Sequence, residues 1–453
     1  MLTCSCHAND KRKCESRGHT DQTEMVSRPR VLFWPLGNPE LETAQQDARD
    51  ALENLKQADL DIVSVDKMTW WEPSEIPGLA RKAPKKNIDL IVIFSATHGT
   101  VRCITAIGAR FRKIPLLIWS IPIRYSLATS GLGAEYLRDR GHSVKLLNNS
   151  PRDTAVREEI TAAARAARSY RLSKSLRIGL IGNLSPLMIS LPYNLPLLKR
   201  KLGPSTLKIS LPRLAGMLKS VKDSEISDKV IEFKSKYSIK VSDQTLANAL
   251  RFQLAVRKFV QEYKLDGIAL ECWTNLFPKY GVNPCLGHLD DLAIGCEGDI
   301  VSLAGSLILE NINGVKPYLA DILSVDKEKN TIELSHCSAP ISLAADSSKV
   351  SISERTDPRS KGKTAFVNFD LRRGPATLVR FYGKGLDKIH MTCGNLQSKG
   401  DYWGGISLVV ESKGNTSEFL DNVSGNHYLF TYGDIRKELR MFAEMKGLQV
   451  IEN

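Results

Sequence analysis

Strand-like and helix-like segments alternate through the first two thirds of this chain, and this alternation constrains the fold more than any other feature. A buried strand pattern at residues 31–34 is followed by an amphipathic helix pattern at residues 40–57 with an alanine- and leucine-rich face. Further strand patterns follow, separated by helix-like segments, at residues 61–65, 89–95, 115–121 and 144–147. Such alternation predicts a parallel, doubly wound sheet.

The alternation restarts at residues 176–182, after a long helix pattern rich in alanine and arginine and a short polar link. A second α/β unit is therefore expected. After about residue 315, short β-rich runs between glycines and polar turns replace the helical period, which indicates an antiparallel sheet or small barrel. We predict an α/β protein with two doubly wound (Rossmann or flavodoxin-like) domains and a β-rich antiparallel C-terminal domain. The predicted boundaries are a disordered leader 1–28, an N-terminal α/β domain 29–172, a second α/β domain 173–314 and a C-terminal domain 315–453.

The leader is polar and has no apolar segment typical of a signal peptide, so we expect a cytoplasmic protein with reduced thiols. Its cysteines and histidines could instead hold a zinc ion, although their spacing fits no standard zinc module. These residues are Cys4, Cys6, His7, Cys14 and His19.

The net charge of +13 comes from 63 Lys and Arg against 50 Asp and Glu. Most of the basic residues are dispersed, and no nucleic-acid-binding motif accompanies them, so we expect a solvated basic surface or attraction of anionic substrates, and no nucleic-acid partner. The longest apolar runs are far shorter than a membrane span, so we expect no membrane partner.

Two acidic residues and one histidine stand out as candidates for chemistry. Glu297 precedes an apolar helix pattern at residues 300–312, Asp321 follows in the next strand pattern, and His427 comes from a glycine-containing segment far along the chain. Two carboxylates and one imidazole suit a divalent cation such as Mn²⁺. The alternative is structural: Glu297 caps a helix and Asp321 ends a strand.

Three further residues are candidate substrate contacts. Trp273 follows a strand pattern and could either stack on a sugar face or cover the core. His98 lies in a loop after the third strand pattern, where α/β proteins place ligand contacts. His336 is at a strand end and could contact substrate or be a structural histidine.

Other chemistries are less favoured. The segment 179–183 follows a strand but lacks the Gly-x-Gly-x-x-Gly spacing of dinucleotide-binding proteins, so a tight turn is the better interpretation. Cys272, Cys285 and Cys296 have no paired Cys-x-x-Cys spacing and no triad pattern, so we expect buried small residues rather than zinc ligands or a nucleophile.

Three short motifs carry a resemblance to a known family: Cys-Glu-Gly-Asp at 296–299, Leu-Ala-Asp at 319–321 and Asn-His at 426–427. In this order, and with two α/β units followed by a β-rich domain, they resemble the L-fucose isomerase and L-arabinose isomerase superfamily, most closely its fucose-isomerase-like branch. The resemblance covers residues 30–453. It implies a glutamate, an aspartate and a histidine that hold Mn²⁺, here Glu297, Asp321 and His427, with the acidic pair taking part in proton transfer. It also implies a homo-oligomer, a trimer or hexamer.

The predicted function is thus a metal-dependent aldose–ketose isomerase of carbohydrate metabolism that acts through an ene-diol. Carboxylates can accept and return the proton that moves between C1 and C2, and oxygen ligands with one imidazole favour Mn²⁺, Mg²⁺ or another divalent cation. Two alternatives remain open at this point: a non-catalytic sugar-binding or sensor protein on the same scaffold, and a metal-dependent hydrolase.

Overall fold

The computed structural model describes residues 28–83, 87–191, 194–280, 284–290, 292–356, 362–398 and 405–453. The predicted leader, with the cysteines and histidines that could hold zinc, lies outside these residues except for its last position. No helix in the described ranges is both long and apolar enough to cross a membrane.

The first unit contains a parallel sheet in the order β2-β1-β3-β4-β5. Its strands are β1 (Arg30–Leu36), β2 (Asp61–Ser64), β3 (Leu90–Ser95), β4 (Leu116–Ser120) and β5 (Val144–Asn148). The helices between and after them are α1 (Glu42–Lys56), α2 (Ile76–Lys82), α3 (Val101–Arg110), α4 (Ser126–Arg138) and α5 (Thr154–Ser173). The central strands β3 and β4 are buried along their whole length, as expected of strands covered on both faces.

The second unit contains a smaller parallel sheet in the order β10-β9-β6-β7. Its region of the chain holds β6 (Arg177–Ile181), β7 (Ser205–Ile209), β8 (Ser238–Lys240), β9 (Gly267–Leu270) and β10 (Ala293–Gly295). The helices are α6 (Leu195–Lys201), α7 (Leu211–Ser220), α8 (Asp223–Lys236), α9 (Asp243–Tyr263), α10 (Phe277–Tyr280) and α11 (Ile300–Asn313). Strand β8 leaves this sheet and pairs with a strand of the C-terminal region.

The C-terminal region is rich in strands. They are β11 (Tyr318–Asp326), β12 (Thr331–His336), β13 (Ser351–Thr356), β14 (Lys363–Asn368), β15 (Gly374–Tyr382), β16 (Lys388–Ser398), β17 (Ile406–Ser412), β18 (His427–Tyr432) and β19 (Gln449–Glu452), with helices α12 (Thr416–Asp421) and α13 (Arg436–Lys446). Seven of the strands form a sheet in the order β15-β18-β11-β12-β17-β16-β19, and β15 also pairs with β16, which closes six strands into a barrel. Strands β14, β13 and β8 form a separate small sheet.

The α/β class, the parallel sheets and the β-rich C-terminal region are confirmed, with one correction, and the doubly wound, Rossmann- or flavodoxin-like arrangement stays a prediction. The C-terminal region is mixed rather than purely antiparallel, because β19 lies parallel to β16 and β8 lies parallel to β13. Helix α13 carries the chain back before β19, and a helical crossover permits parallel pairing where a hairpin does not. The predicted domain boundaries stay predictions.

Helix α5 packs against helices of the second unit and of the C-terminal region. It lies against α11 and α13, and alanine is the most frequent residue of its buried face, which allows close approach of the helices. The hydroxyl of Ser169 donates a hydrogen bond to the carbonyl oxygen of Ile308 at this contact. The start of α11, which carries the site described next, is therefore fixed against the rest of the protein.

Candidate active site

Glu297 lies at the carboxyl end of the second sheet. Strand β10 ends at Gly295 and passes into a short 3₁₀ turn, Cys296–Gly298, in which Glu297 has a left-handed backbone (φ 57°). Gly298 follows at φ 71°, and a Cβ there would lie 2.2 Å from the carbonyl oxygen of Asn183. Left-handed backbone at a non-glycine residue is strained and persists where the surroundings impose it. The turn thus aims Glu297 out of the sheet edge.

Three other candidates lie side by side in the C-terminal barrel. Asp321 is within β11, directly opposite His427, the first residue of β18. His336 is the last residue of β12, on the other side of β11. Asp321 therefore does not end a strand, and it does not share the sheet of Glu297. Directly opposed residues of antiparallel strands place their side chains on the same face, which brings Asp321 and His427 together.

These four side chains converge. Ligand atoms of Glu297, His336 and His427 all lie within 4.8 Å of one another. Asp321 stands beside them, with Oδ1 3.6 Å from His427 Nε2 and Oδ2 4.0 Å from His336 Nε2. The side-chain amide of Asn426 donates a 2.7 Å hydrogen bond to Asp321 Oδ1, which fixes the carboxylate. The structure brings the predicted Glu297, Asp321 and His427 together, and their roles stay a prediction.

Asp299 contacts the Nδ1 atom of His427, the ring nitrogen that does not face Asp321. Asp299 is the N-cap of α11: its Oδ1 accepts a hydrogen bond from the backbone N–H of Ser302, and its Oδ2 accepts one from the Ser302 hydroxyl. Oδ2 also lies 2.9 Å from His427 Nδ1, and both side chains are fully buried. A proton on Nδ1 leaves Nε2 as the ring atom that faces Glu297 and Asp321, the arrangement that orients histidine ligands in metal sites.

The cluster shifts the ionisation of its members. Burial raises the pKa of Glu297, an effect that His427 and His336 partly offset. Burial disfavours the charged form of His427, but the hydrogen bond and charge of Asp299 outweigh it and raise the pKa of His427. Burial by itself would raise the pKa of Asp299. Its hydrogen bonds to His427 and Ser302 outweigh burial and lower that pKa. Asp299 is thus a buried carboxylate that stays charged.

The donor set fits a divalent metal ion. Buried His427 Nε2 and His336 Nδ1 have no hydrogen-bond partner among the residues that the structure describes. An unpaired buried imidazole nitrogen is costly unless a ligand or ion completes it. Two carboxylates with imidazoles suit Mn²⁺ and similar cations rather than a thiolate-type zinc site. Glu297, His336, His427 and the adjacent Asp321 are therefore the residues that would hold the ion.

A cavity of about 240 Å³ opens over the cluster. Its described lining consists of Trp273, Glu297, Asp321, Leu323, Ser335, His336, Cys337, Arg355 and Gly405. This volume is below the range of drug-sized ligands and is suited to a compact polar molecule. Trp273, predicted as a substrate contact, lies in the wall.

The predicted substrate contacts Trp273, His336 and His98 do not all lie at the same cavity. His336 belongs to the metal-type cluster itself, where a ligand role competes with the predicted substrate contact. His98 is exposed at the edge of the first sheet, where the indole N–H of Trp70 donates to its carbonyl oxygen. It does not line the cavity of its own chain. Any role of His98 in sugar binding therefore requires a neighbouring subunit.

The cysteines line a separate, smaller cavity of about 40 Å³, beside the cluster. Cys272, Cys285 and Cys296 are buried there, and Cys337 joins them. In the described ranges the only metal-type group of three ligands is the one that contains Glu297, so these thiols do not assemble a comparable site. Their burial agrees with the prediction of small buried residues.

Two residues of the site, Asp299 and Arg355, are not among the candidates predicted from the sequence. Asp299 carries a detectable signal, since an acidic residue before an apolar helix indicates an N-cap, but nothing in that signal points to His427. Arg355 lies in a strand remote in sequence from the acidic motifs and carries no local signal. Only the fold brings it to the cavity.

The fold and the cavity together define an α/β protein with a sugar-sized site walled by carboxylates and imidazoles. No family model matches the chain. Among curated proteins, a sulfoquinovose isomerase of Priestia megaterium is 24% identical over 441 residues, which cover 92% of this chain and 98% of the relative. Sulfoquinovose isomerases of Alkalicoccus urumqiensis (26% over 391 residues; 80% and 86%) and a Clostridium strain (23% over 462 residues; 94% and 99%) are also similar.

These matches confirm the prediction of an enzyme, an isomerase that interconverts an aldose and a ketose. They also place it in carbohydrate metabolism. They are consistent with the resemblance to the L-fucose and L-arabinose isomerase superfamily at the level of sugar isomerases. The fucose-isomerase-like branch, manganese, the oligomer and the cytoplasmic location stay predictions.

Proposed function

We propose that this chain is a divalent-metal-dependent, fucose-isomerase-like enzyme that interconverts sulfoquinovose, a hexose with a sulfonate at C6, and the corresponding 2-ketose. The observation that carries the proposal is the convergence of Glu297, Asp321, His336 and His427 in one cluster, of which all but the buried His427 line a single sugar-sized cavity. The similarity to sulfoquinovose isomerases over most of the chain supports the choice of sugar.

The proposed reaction is a proton transfer between adjacent carbons. A carboxylate removes the proton from C2 of the open-chain aldose, an ene-diol forms, and the proton returns to C1 while a hydroxyl proton moves from O2 to O1. We assign the carbon-bound proton to Glu297, because its carboxylate comes from the sheet edge into the cavity, within reach of a bound sugar. We assign the hydroxyl proton to Asp321, whose carboxylate lines the same cavity and accepts a hydrogen bond from Asn426.

The other side chains of the site hold this pair in place. Asp299 fixes the ring of His427 and keeps Nε2 directed at the substrate side of the cluster. Trp273 presents an aromatic face to the cavity, on which the apolar face of a sugar can stack. A bound Mn²⁺ or Mg²⁺ would supply positive charge that stabilises the negative charge developing on the two sugar oxygens.

Deuterium exchange tests this function. The purified protein, loaded with Mn²⁺, is incubated with sulfoquinovose in D₂O, and NMR follows ketose formation and deuterium at C1 or C2. We expect both to appear, and both to be lost in Glu297→Gln. A protein that binds the sugar without exchange or product would be a sugar-binding protein rather than an isomerase. Exchange with other aldoses but not with sulfoquinovose would refute the proposed substrate.

A further inference from the structure

A cationic side chain lies in the wall of the cavity that holds the carboxylate–imidazole cluster. Arg355, on β13, lines both the larger cavity and the small cavity beside it. It is the only lysine or arginine among the described lining residues of either cavity. Since Glu297 and His336 line the same two cavities, a single sugar could reach both the cluster and the guanidinium.

The guanidinium of Arg355 contacts a sulfur and an aromatic ring. Its Nη1 donates a 2.9 Å hydrogen bond to the sulfur of Cys337, and its Cζ lies 5.7 Å from the ring centroid of Trp273. Within the described ranges, no carboxylate forms an ion pair with it. A guanidinium offers five N–H donors, so most of them remain for a ligand. The sulfur and the indole fix the position of the side chain. The hydrogen bond with Cys285, together with His336 and Arg355, lowers the pKa of Cys337 to about 5, so the sulfur offsets part of the charge of Arg355 while the other N–H donors stay available.

We propose that Arg355 binds the anionic group at C6 of the substrate and so determines the enzyme's specificity for sulfonated over neutral sugars. This inference rests on the proposed function. Planar guanidinium groups bind tetrahedral oxyanions through paired hydrogen bonds, and such charge-assisted bonds are stronger than those between neutral groups. A neutral hexose offers the guanidinium no oxyanion, so it lacks these charge-assisted bonds and should bind more weakly.

The same chemistry fits a sulfonate or a phosphate, and the relatives favour the sulfonate. All of the reported relatives are named for sulfoquinovose. A phosphate monoester carries up to two negative charges at neutral pH and one more oxygen, the ester oxygen, between carbon and the anion. The cavity already contains Glu297 and Asp321, so a singly charged sulfonate meets less repulsion.

Binding and turnover measured in parallel test the inference. The Mn²⁺-loaded wild type, Arg355→Gln, Arg355→Lys and the control Arg372→Gln are titrated by calorimetry with sulfoquinovose, glucose 6-phosphate and the neutral analogue 6-deoxyglucose. Arg372 stacks on Tyr432 away from the cavity, so it controls for loss of surface charge. Isomerisation of the same sugars is followed by NMR, and circular dichroism checks that each variant is folded.

We expect Arg355→Gln to weaken sulfoquinovose binding and to lower kcat/KM, mainly through KM, by about 10- to 100-fold. Binding of 6-deoxyglucose should change less than about threefold, and Arg355→Lys should recover part of the loss. Equal losses for both sugars, or no loss for sulfoquinovose, would overturn the inference. Tighter, Arg355-dependent binding of glucose 6-phosphate would replace the sulfonate with a phosphate. Arg355-dependent binding of sulfoquinovose without turnover would refute the proposed reaction alone.

Discussion

Nδ1 of His427 lies 2.9 Å from Oδ2 of Asp299, and the pair is completely buried between the barrel and the start of α11. Asp299 comes from the second α/β unit and His427 from the C-terminal region. Their hydrogen bond therefore joins the two parts of the chain that build the site. It also decides which nitrogen of His427 faces Asp321 and Glu297.

Replacing Asp299 with asparagine removes the charge behind His427 and should weaken Mn²⁺ binding by about 10- to 100-fold, the usual cost of losing such a partner. Calorimetry with Mn²⁺ measures the effect. Ser302→Ala is the control, because it removes a hydroxyl that also bonds Asp299 but leaves the carboxylate in place. Unchanged Mn²⁺ affinity in a folded Asp299→Asn protein would contradict the orienting role.

Glu297→Gln and Asp321→Asn should each reduce proton exchange by about 10²- to 10⁴-fold, because each removes a group that accepts a proton or holds the metal. The change is measured as deuterium incorporation from solvent by NMR. Glu333→Gln serves as the control, since Glu333 is on β12 outside the cavity and accepts a hydrogen bond only from Ser324 among described residues. Near-normal exchange in either site variant would remove that residue from the mechanism.

Mn²⁺ affinity should depend on pH. The pKa values of Glu297 and His427 are both raised in the protein without metal, and the ion must displace the protons that these groups carry. The affinity should therefore weaken as pH falls, by about tenfold per pH unit for each displaced proton. Titrations of the chelator-treated protein between pH 5 and pH 8, chosen as about the range where carboxylates and histidines titrate, measure the slope. A flat profile would contradict this linkage.

Lys446 gives a second pH effect, on stability. Burial, with a contribution from Lys174, lowers the pKa of Lys446 to about 7, while its Nζ donates to the carbonyl oxygen of Leu202. The unfolded chain then binds more protons than the folded one between that value and the ordinary lysine pKa, so the stability of the fold rises with pH over this interval.

Lys446→Met should therefore be more stable than wild type near pH 7, by at most a few kcal/mol, and the difference should vanish by about pH 10.5. Urea unfolding at a series of pH values measures it, and Lys413→Met, at an exposed position, is the control. A stability difference that does not change with pH would show that packing, rather than the charge of Lys446, is responsible.

The predicted homo-oligomer remains testable through His98. His98 is exposed, contacts the ring of Trp70, and does not line its own chain's cavity. If a neighbouring subunit presents it to the cavity, His98→Ala should weaken sugar binding and leave Mn²⁺ affinity unchanged. Light scattering gives the mass of the assembly, for which a trimer or hexamer is expected. A monomer that is fully active at high dilution would exclude a shared site.

Much of the secondary structure could be predicted from local pattern alone. Strands of the first unit such as β3 and helices such as α1 have strong apolar periodicity, and their bounds in the structure agree with the pattern to within a few residues. Strands β7 and β8 show no clear strand pattern in the sequence, because β7 is only partly buried and β8 is too short to show a period. Pairing partners, including the parallel ones of β8 and β19, depend on contacts remote in sequence and have no local signal.

The sequence by itself determined the residue types of the site, since Glu297, Asp321 and His427 each lie in a short motif that can be recognised without a structure. Only the tertiary structure decided that His336 stands with them, that Asp299 holds His427, and that Arg355 faces the cavity. The physical reason is that these contacts join strands and helices far apart in sequence, some of them in separate sheets. Strand register, the left-handed turn at Glu297 and the closure of the barrel place them, and each depends on packing of the whole chain rather than on neighbouring residues.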